Sequence, residues 1–293
     1  MQAELLIFVE KLNSILWGPI MLVLLLGTGI YFTIRTRFIQ IRFFKQAWKQ
    51  VLGNAYKDSD SQQEGLSSFQ SLTTAVAAQV GTGNIVGVAT AIAAGGPGAV
   101  FWMWVSGFFG MSTIFSEAVL AQKFKTTRDG NIVGGPAYYI SQGLGQKWLA
   151  VIFAICIVLA LGFMGNMVQA NSIAVSINNA FGINQVYVGI IVALMVGAVI
   201  IGGVKQIGKV TEVLVPLMAL FYIAGGLIVI ILNIENLLPA LKMIVVGAFS
   251  PQSIGGGVLG TTIKEAFRYG IARGIFSNEA GLGSTPHAHA IAR

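Results

Sequence analysis

Long apolar runs make up most of the chain, and small or polar residues interrupt them at a few places. A helix that crosses a bilayer needs about 20 mostly apolar residues. About seven segments meet that length: roughly 14–34, 68–93, 98–122, 148–180, 185–203, 210–233 and 255–290. The fourth and seventh are longer and more polar than lipid-facing helices, so they are expected to lie inside the bundle. The deepest interruption is QVGTGNIVG at 79–87, which sets glycines, a Thr and an Asn in the middle of the second run. Lipid cannot hydrogen-bond a freed N–H or C=O, so irregular backbone survives only where it is buried or lines a cavity. Glycine lets the chain open there, and the bared dipoles can hold an ion or a small polar solute.

Between the runs, 36–50 mixes Arg and Lys with Phe, Ile and Trp and reads as an amphipathic helix on the membrane surface. Residues 54–67 read as a polar loop, and 236–248 as a short surface or re-entrant helix. Composition agrees. Of 293 residues 55% are hydrophobic and 10% charged, against about 25% charged in soluble domains. Too little charge remains to cover a soluble surface.

The net charge of +7 reports orientation rather than a nucleic-acid partner. Arg35, Arg37, Arg42, Lys45, Lys49 and Lys57 follow the first span. Lys123, Lys125, Arg128 and Lys147 precede the fourth, and Lys205 and Lys209 follow the fifth. The alternate loops carry only Lys11 and Lys242. The positive-inside rule then places the N-terminus outside and the basic loops in the cytoplasm, for a protein of the plasma (inner) membrane. Glu4 and Glu10 stand where a signal peptide would be basic. The single Cys156 permits no disulfide framework.

Three clusters carry candidate chemistry. At Gly81-Thr82-Gly83-Asn84 the N–H groups opening a half-helix near Asn84 suit a carboxylate; the alternative is helix packing through the GxxxG of Gly83 and Gly87. Neither GxGxxG nor GxxxxGK is present, so this is no nucleotide loop. At Phe276–Ser284, FSNEAGLGS, Glu279 needs a partner or a polar cavity at membrane depth. It suits a cation ligand, a proton carrier or a latch; alternatively, the helix simply ends there. Two interrupted helices in one chain point to a transporter site. In the fourth run Asn166 and Gln169 share a helical face, Asn171 points elsewhere, and Gln169 is the preferred ligand contact.

Several weaker signals have mainly structural readings. Glu117 suits a structural partner for a basic residue. Glu265 and Arg268, three apart, can pair as a gate or a structural network, with Lys264 and Arg273 nearby. His287 and His289 would face different ways on a helix, so no metal site is expected. Phe101-Trp102-Met103-Trp104 reads as an interfacial anchor. No catalytic constellation is present, so the chain is not expected to be an enzyme.

These residues resemble the alanine or glycine:cation symporters of the amino acid–polyamine–organocation superfamily. The signs are Trp17-Gly18-Pro19 opening the first span, GTGNIVGVAT at 81–90, GGPGAVFWMWVSGFFGM at 95–111, GGPAYY at 134–139, GNMVQANS at 165–172 and GIFSNEAGLGS at 274–284. The resemblance implies an all-α polytopic membrane protein with the leucine-transporter-like fold. In 1–293, taken as one transporter domain, an extra helix at 14–34 would precede a first five-helix repeat over about 68–233, and the second repeat would start at about 255–290. The family's chains continue past this motif, so a C-terminally truncated chain is expected, with about four spans still to come.

The resemblance also implies sodium-coupled uptake of a small neutral amino acid, alanine or glycine, with no organic cofactor. The carboxylate would meet Thr82, Gly83, Asn84 and Ile85. Gln169 with Phe276, Ser277 and Asn278 would contact the amino group and close the pocket. Carbonyls near Ala77 and Val80 would hold part of the sodium shell. Glu279, Glu265 and Arg268 would gate or brace the structure. The alternatives are a proton-coupled transporter, a non-transporting fragment, or a channel of similar hydropathy.

Overall fold

The computed structural model describes residues 2–54, 65–128, 130–249 and 263–292. The described chain runs through α1 (Gln2–Leu16), α2 (Pro19–Arg35), α3 (Ile39–Arg42), α4 (Phe44–Asn54), α5 (Ser68–Gln79), a π-helical turn at Gly83–Gly87, α6 (Val88–Gly95) and α7 (Gly98–Lys123). A small hairpin, β1 (Thr126–Arg128) and β2 (Asn131–Val133), precedes α8 (Pro136–Gly143), α9 (Lys147–Ile157), a π-helical stretch at Val158–Gly165 and α10 (Asn166–Phe181). Then follow α11 (Gln185–Ile201), α12 (Gly203–Leu232), α13 (Leu237–Phe249), α14 (Ile263–Asn278) and α15 (Pro286–Ala290).

This is an all-α polytopic membrane protein. Four helical stretches are long and apolar enough to cross a bilayer: Glu4–Arg35, Gly98–Lys123, Lys147–Phe181 and Gly203–Leu232. Ser68–Gln79 and Gly83–Gly95 make a fifth when taken as one span bent by 50°. The expected fifth run appears as α11, 17 residues long and a little short for a span. The expected surface helix is α4, where Phe44 and Trp48 stand four apart on one side and Lys45 and Lys49 on another. The short helix expected at 236–248 is α13. The loop expected at 54–67 falls mostly outside the described residues, as does 255–262 of the seventh run.

Three expectations need correction. The first helical stretch begins well before residue 14: α1 starts at Gln2, and with α2 it makes one apolar stretch from Glu4 to Arg35. The seventh run is not helical to 290: α14 ends at Asn278, and Gly281 and Gly283 with φ of +83° and +77° cannot continue it. Among the described residues the fourth helix is exposed over most of its length rather than enclosed. Its polar groups turn to their own backbone, with Asn166 donating to the Gly162 carbonyl at 3.1 Å and Ser176 to that of Ser172 at 2.7 Å. Phe101 and Trp102, expected as part of an interfacial anchor, also make ring contacts. Their rings meet Phe249 at 5.0 and 5.7 Å, and Trp102 meets Phe267 at 4.8 Å.

The residues cluster into two compact units. The first comprises Met1–Phe44, Gly83–Phe115 and Gly226–Gly281. Here small residues let helix α14 press against α6 and α7. A Cβ on Gly270 would strike the Ala99 carbonyl, and one on Gly274 the Ser106 hydroxyl. Buried hydroxyls tie α2 to α7: Thr33 and Ser112 share a 2.8 Å hydrogen bond, and Ser112 also reaches the Gly29 carbonyl at 2.8 Å. Interhelical hydrogen bonds between small residues are a means of association that lipid does not weaken.

The second unit comprises Lys45–Thr82, Ser116–Gly225 and Leu282–Arg293. Ser67 and Gln70 cap α5 reciprocally. Gln70 continues to Glu212 at 2.9 Å, and Thr74 meets Thr211 at 3.0 Å, which joins α5 to α12. Behind the break in the seventh run the chain is held at several points. Ser71 donates to the Ala288 carbonyl at 2.8 Å, Leu66 N–H to that of Ile291 at 3.0 Å, and Gln122 to those of His289 and Ala292 at 2.5 and 3.1 Å. Glu117 is buried and lies near Tyr139. Burial, and then that carboxylate, push the Tyr139 phenol above its ordinary range, so it stays protonated.

Candidate functional site at two interrupted helices

Helix α5 stops at Gln79. Val80 turns extended, with φ −95° and ψ 97°, and the helix resumes as a π turn at Gly83. The sequence explains the stop: Gly81 and Gly83 flank Thr82, and two glycines one residue apart weaken helical continuity. A π turn inside a helix is a frequent mark of a functional position. The last carbonyls of α5, those of Ala77 to Gln79, point along the axis toward the interruption, while Val80 lies past the helix end. The family resemblance suggests carbonyls near Ala77 and Val80 for a cation.

In the second unit, Gln169 of α10 comes to this interruption. The Thr82 N–H donates to Gln169 Oε1 at 3.2 Å. A Cβ on Gly81 would lie 2.6 Å from Gln169 Nε2, so a side chain at 81 would displace the amide. Asn166, the other amide on that face, is spent on its own helix, and Asn171 is exposed. Of the three amides, Gln169 is the one whose side chain meets the interruption, through the Thr82 N–H. Gln79, four residues before Gly83, donates to the Thr285 hydroxyl at 3.2 Å.

In the first unit, the π turn lies against the end of α14. A Cβ on Gly83 would meet the Phe276 ring and the Ser277 Cα at 3.5 Å, ordinary contact distance. Gly87 has open space where its Cβ would stand. The GxxxG alternative is thus met at Gly83 and not at Gly87. Asn84 is half-buried and Ile85 exposed; Ser277 is buried, and Phe276 is half-exposed with its ring edge-on to Trp17 at 6.5 Å.

Asn278 is the last helical residue of α14. Its Oδ1 accepts the Ala280 N–H at 3.1 Å. A Cβ on Gly110 would lie 3.2 Å from its Nδ2. Glu279 follows with φ of +55°, a left-handed conformation that side-chain-bearing residues rarely adopt. Its N–H still bonds the Ile275 carbonyl at 2.9 Å. Thus Glu279 sits just past a helix end, half-buried, in a strained turn rather than inside a continuous span. Glu265 and Arg268 are exposed on α14, where the Arg268 guanidinium lies 5.7 Å from the Tyr269 ring centroid. His287 reaches the Gly134 carbonyl at 3.1 Å. No group of three or more metal-binding side chains occurs among the described residues.

Two features escaped the sequence reading. The β1–β2 hairpin is signalled by Asp129-Gly130 between β-branched pairs, a turn pattern that attention to the spans obscured. A cavity on α14 reaches Asn13 and Trp17, whose four-residue spacing was the available signal.

Helices long and apolar enough to cross a bilayer, with one further pair bent at a glycine-rich break, define a multi-pass membrane protein. The chain belongs to the sodium:alanine symporter family, whose pattern it matches over residues 2–293. That is a family of transporters rather than enzymes. The chain is 48% identical to the sodium/alanine symporter AgcS of Methanococcus maripaludis over 97% of its own length and 63% of that protein's. It is 46% identical to a transporter of Haemophilus influenzae, over 97% of this chain and 62% of that one. A third relative, of Bacillus subtilis and named "Probable sodium/glutamine symporter GlnT", is 42% identical over 96% and 57%. The chain therefore spans about three fifths of the length of the curated relatives it matches.

Proposed function

We propose that this chain supplies the substrate-binding part of a secondary active transporter that carries a small neutral amino acid, alanine or glycine, into the cell together with sodium. The carrying observation is the pair of interrupted helices, with Gln169 at the first and the strained Glu279 turn at the second. The N–H groups of Gly83, Asn84 and Ile85 open the π turn and receive the substrate carboxylate, aided by the Asn84 amide. Phe276, Ser277 and Asn278 line the amino-group end. Gln169 acts at the same interruption by fixing the Thr82 peptide.

Main-chain carbonyls near Ala77 and Val80 contribute to a sodium shell, since hard cations take oxygen ligands. Bound sodium orders the break, so the amino acid binds better; the coupling is reciprocal. The two repeats rock to expose the site to either side in turn. In this scheme 1–293 is one transporter domain with about seven spans, lying in the cell membrane with its basic loops inside. The segment 68–233 forms the first repeat, and the second begins at 255–290.

The test is uptake of labelled alanine into proteoliposomes with and without an inward sodium gradient. Accumulation that follows the sodium gradient is expected. Accumulation driven equally by a proton gradient without sodium would overturn the sodium assignment. A flux that never saturates with alanine would favour a channel.

A further inference from the structure

A cavity of about 230 Å³ opens on one face of α14 in the first unit. From α14 it is walled by Arg268, Tyr269, Arg273 and Phe276, and from the end of α1 by Asn13 and Trp17. Arg268 and Phe276 stand two turns apart, and Tyr269 and Arg273 one turn apart, so they share a stripe that Asn13 and Trp17 meet with the same spacing. The Phe276 ring borders the cavity and also lies 3.5 Å from the Cβ position of Gly83. One ring thus touches both the cavity and the π turn.

The charge in this cavity is unbalanced. Glu265 lies three residues before Arg268 and can offset that guanidinium. Arg273 is eight residues from Glu265, about 12 Å along the axis. Among the described residues Arg273 makes no hydrogen bond or ion pair. A half-buried cation in a membrane helix is costly without a counter-charge. A guanidinium binds carboxylates through paired, charge-assisted hydrogen bonds. Trp17, Tyr269 and Phe276 offer ring faces that attract an ammonium group. The volume lies below the roughly 300–1,000 Å³ of sites for drug-sized ligands, which calls for a small ligand.

We infer that this cavity is a second binding station for a small zwitterionic amino acid, its carboxylate on Arg273 and its ammonium over the aromatic rings, adjoining the π turn across Phe276. The choice of alanine as its ligand rests on the transport reading above; the carboxylate chemistry does not.

Equilibrium dialysis with labelled alanine, on purified protein in detergent with saturating sodium, tests this. The wild type is expected to bind two alanines per chain, Arg273→Gln one, and Gln169→Ala two, one of them weakened about fivefold to tenfold. Arg273→Lys keeps the charge and is expected to retain two, the weaker loosened about tenfold by the loss of paired geometry. Acetate, which carries the carboxylate alone, is expected to displace one of the two from the wild type. Wild-type binding by Arg273→Gln, or no displacement by acetate, overturns the proposal. If Gln169→Ala keeps both sites at wild-type affinity while Arg273→Gln loses one, the cavity stands and the reading of the π turn falls. Loss of all binding in Arg273→Gln and Arg273→Lys with unchanged melting makes Arg273 part of a single site, and also overturns it.

Discussion

At the scale of the residue, the interruption at Gly81–Gly83 depends on one amide. Gln169 accepts the Thr82 N–H, a bond that contributes about 1 kcal/mol net. Gln169→Leu keeps the size and removes the acceptor. It is expected to lower alanine uptake by about fivefold to tenfold with little change in melting temperature, consistent with the loss of about 1 kcal/mol. Glu279 presents the opposite case. Its left-handed backbone costs about 1–2 kcal/mol relative to glycine. Glu279→Gly should therefore melt no lower than the wild type, while transport falls if the carboxylate serves the cycle. Thermal-shift and uptake measurements on one preparation separate the two effects. Gln169 was legible as a residue with a polar partner because an amide in an apolar helix needs a reason; that its partner is the Thr82 N–H was not. The left-handed turn at Glu279 was not, since nothing in FSNEAGLGS distinguishes a bent helix from one that stops.

Among the elements, α14 is the best constrained. Its glycines are close-approach positions against α7, as the would-be contacts of Gly270 and Gly274 indicate. Gly274→Leu forces a side chain onto the Ser106 hydroxyl and the Met103 backbone, an overpacking that typically costs 1–3 kcal/mol, roughly. Its folded yield and melting temperature should drop, whereas Gly87→Ala, with open space at its Cβ, should leave both unchanged. Size-exclusion chromatography in detergent with a thermal-shift assay checks the pair. Apolar length made α7, α9–α10 and α12 readable in advance, because a span is a property of about 20 consecutive residues. The end of α14 and the hairpin at 126–133 were harder. Each depends on one or two positive-φ residues, and composition averaged over a span hides them.

For the whole molecule, the orientation proposed from the asymmetry of Lys and Arg can be measured. With Cys156 replaced by Ala, a cysteine at Lys123 should react with a membrane-impermeant thiol reagent only from the cytoplasmic side. One at Lys242 should react only from outside. Reaction of both from the same side would refute the topology. Symport of one sodium with a neutral amino acid moves one net charge, worth about 2.3 kcal/mol per 100 mV. Collapsing the potential with an ionophore should then lower steady-state alanine accumulation by more than about tenfold per 100 mV removed.

The bonds behind the second interruption have a mechanical consequence. Ser71 holds Ala288, Gln79 holds Thr285, and Leu66 holds Ile291. Each bond joins the chain before the first break to the chain after the second. Helices α5 and α15 are therefore yoked like two oars on one bar. Any stroke that swings α5 must carry the tail of the seventh run with it.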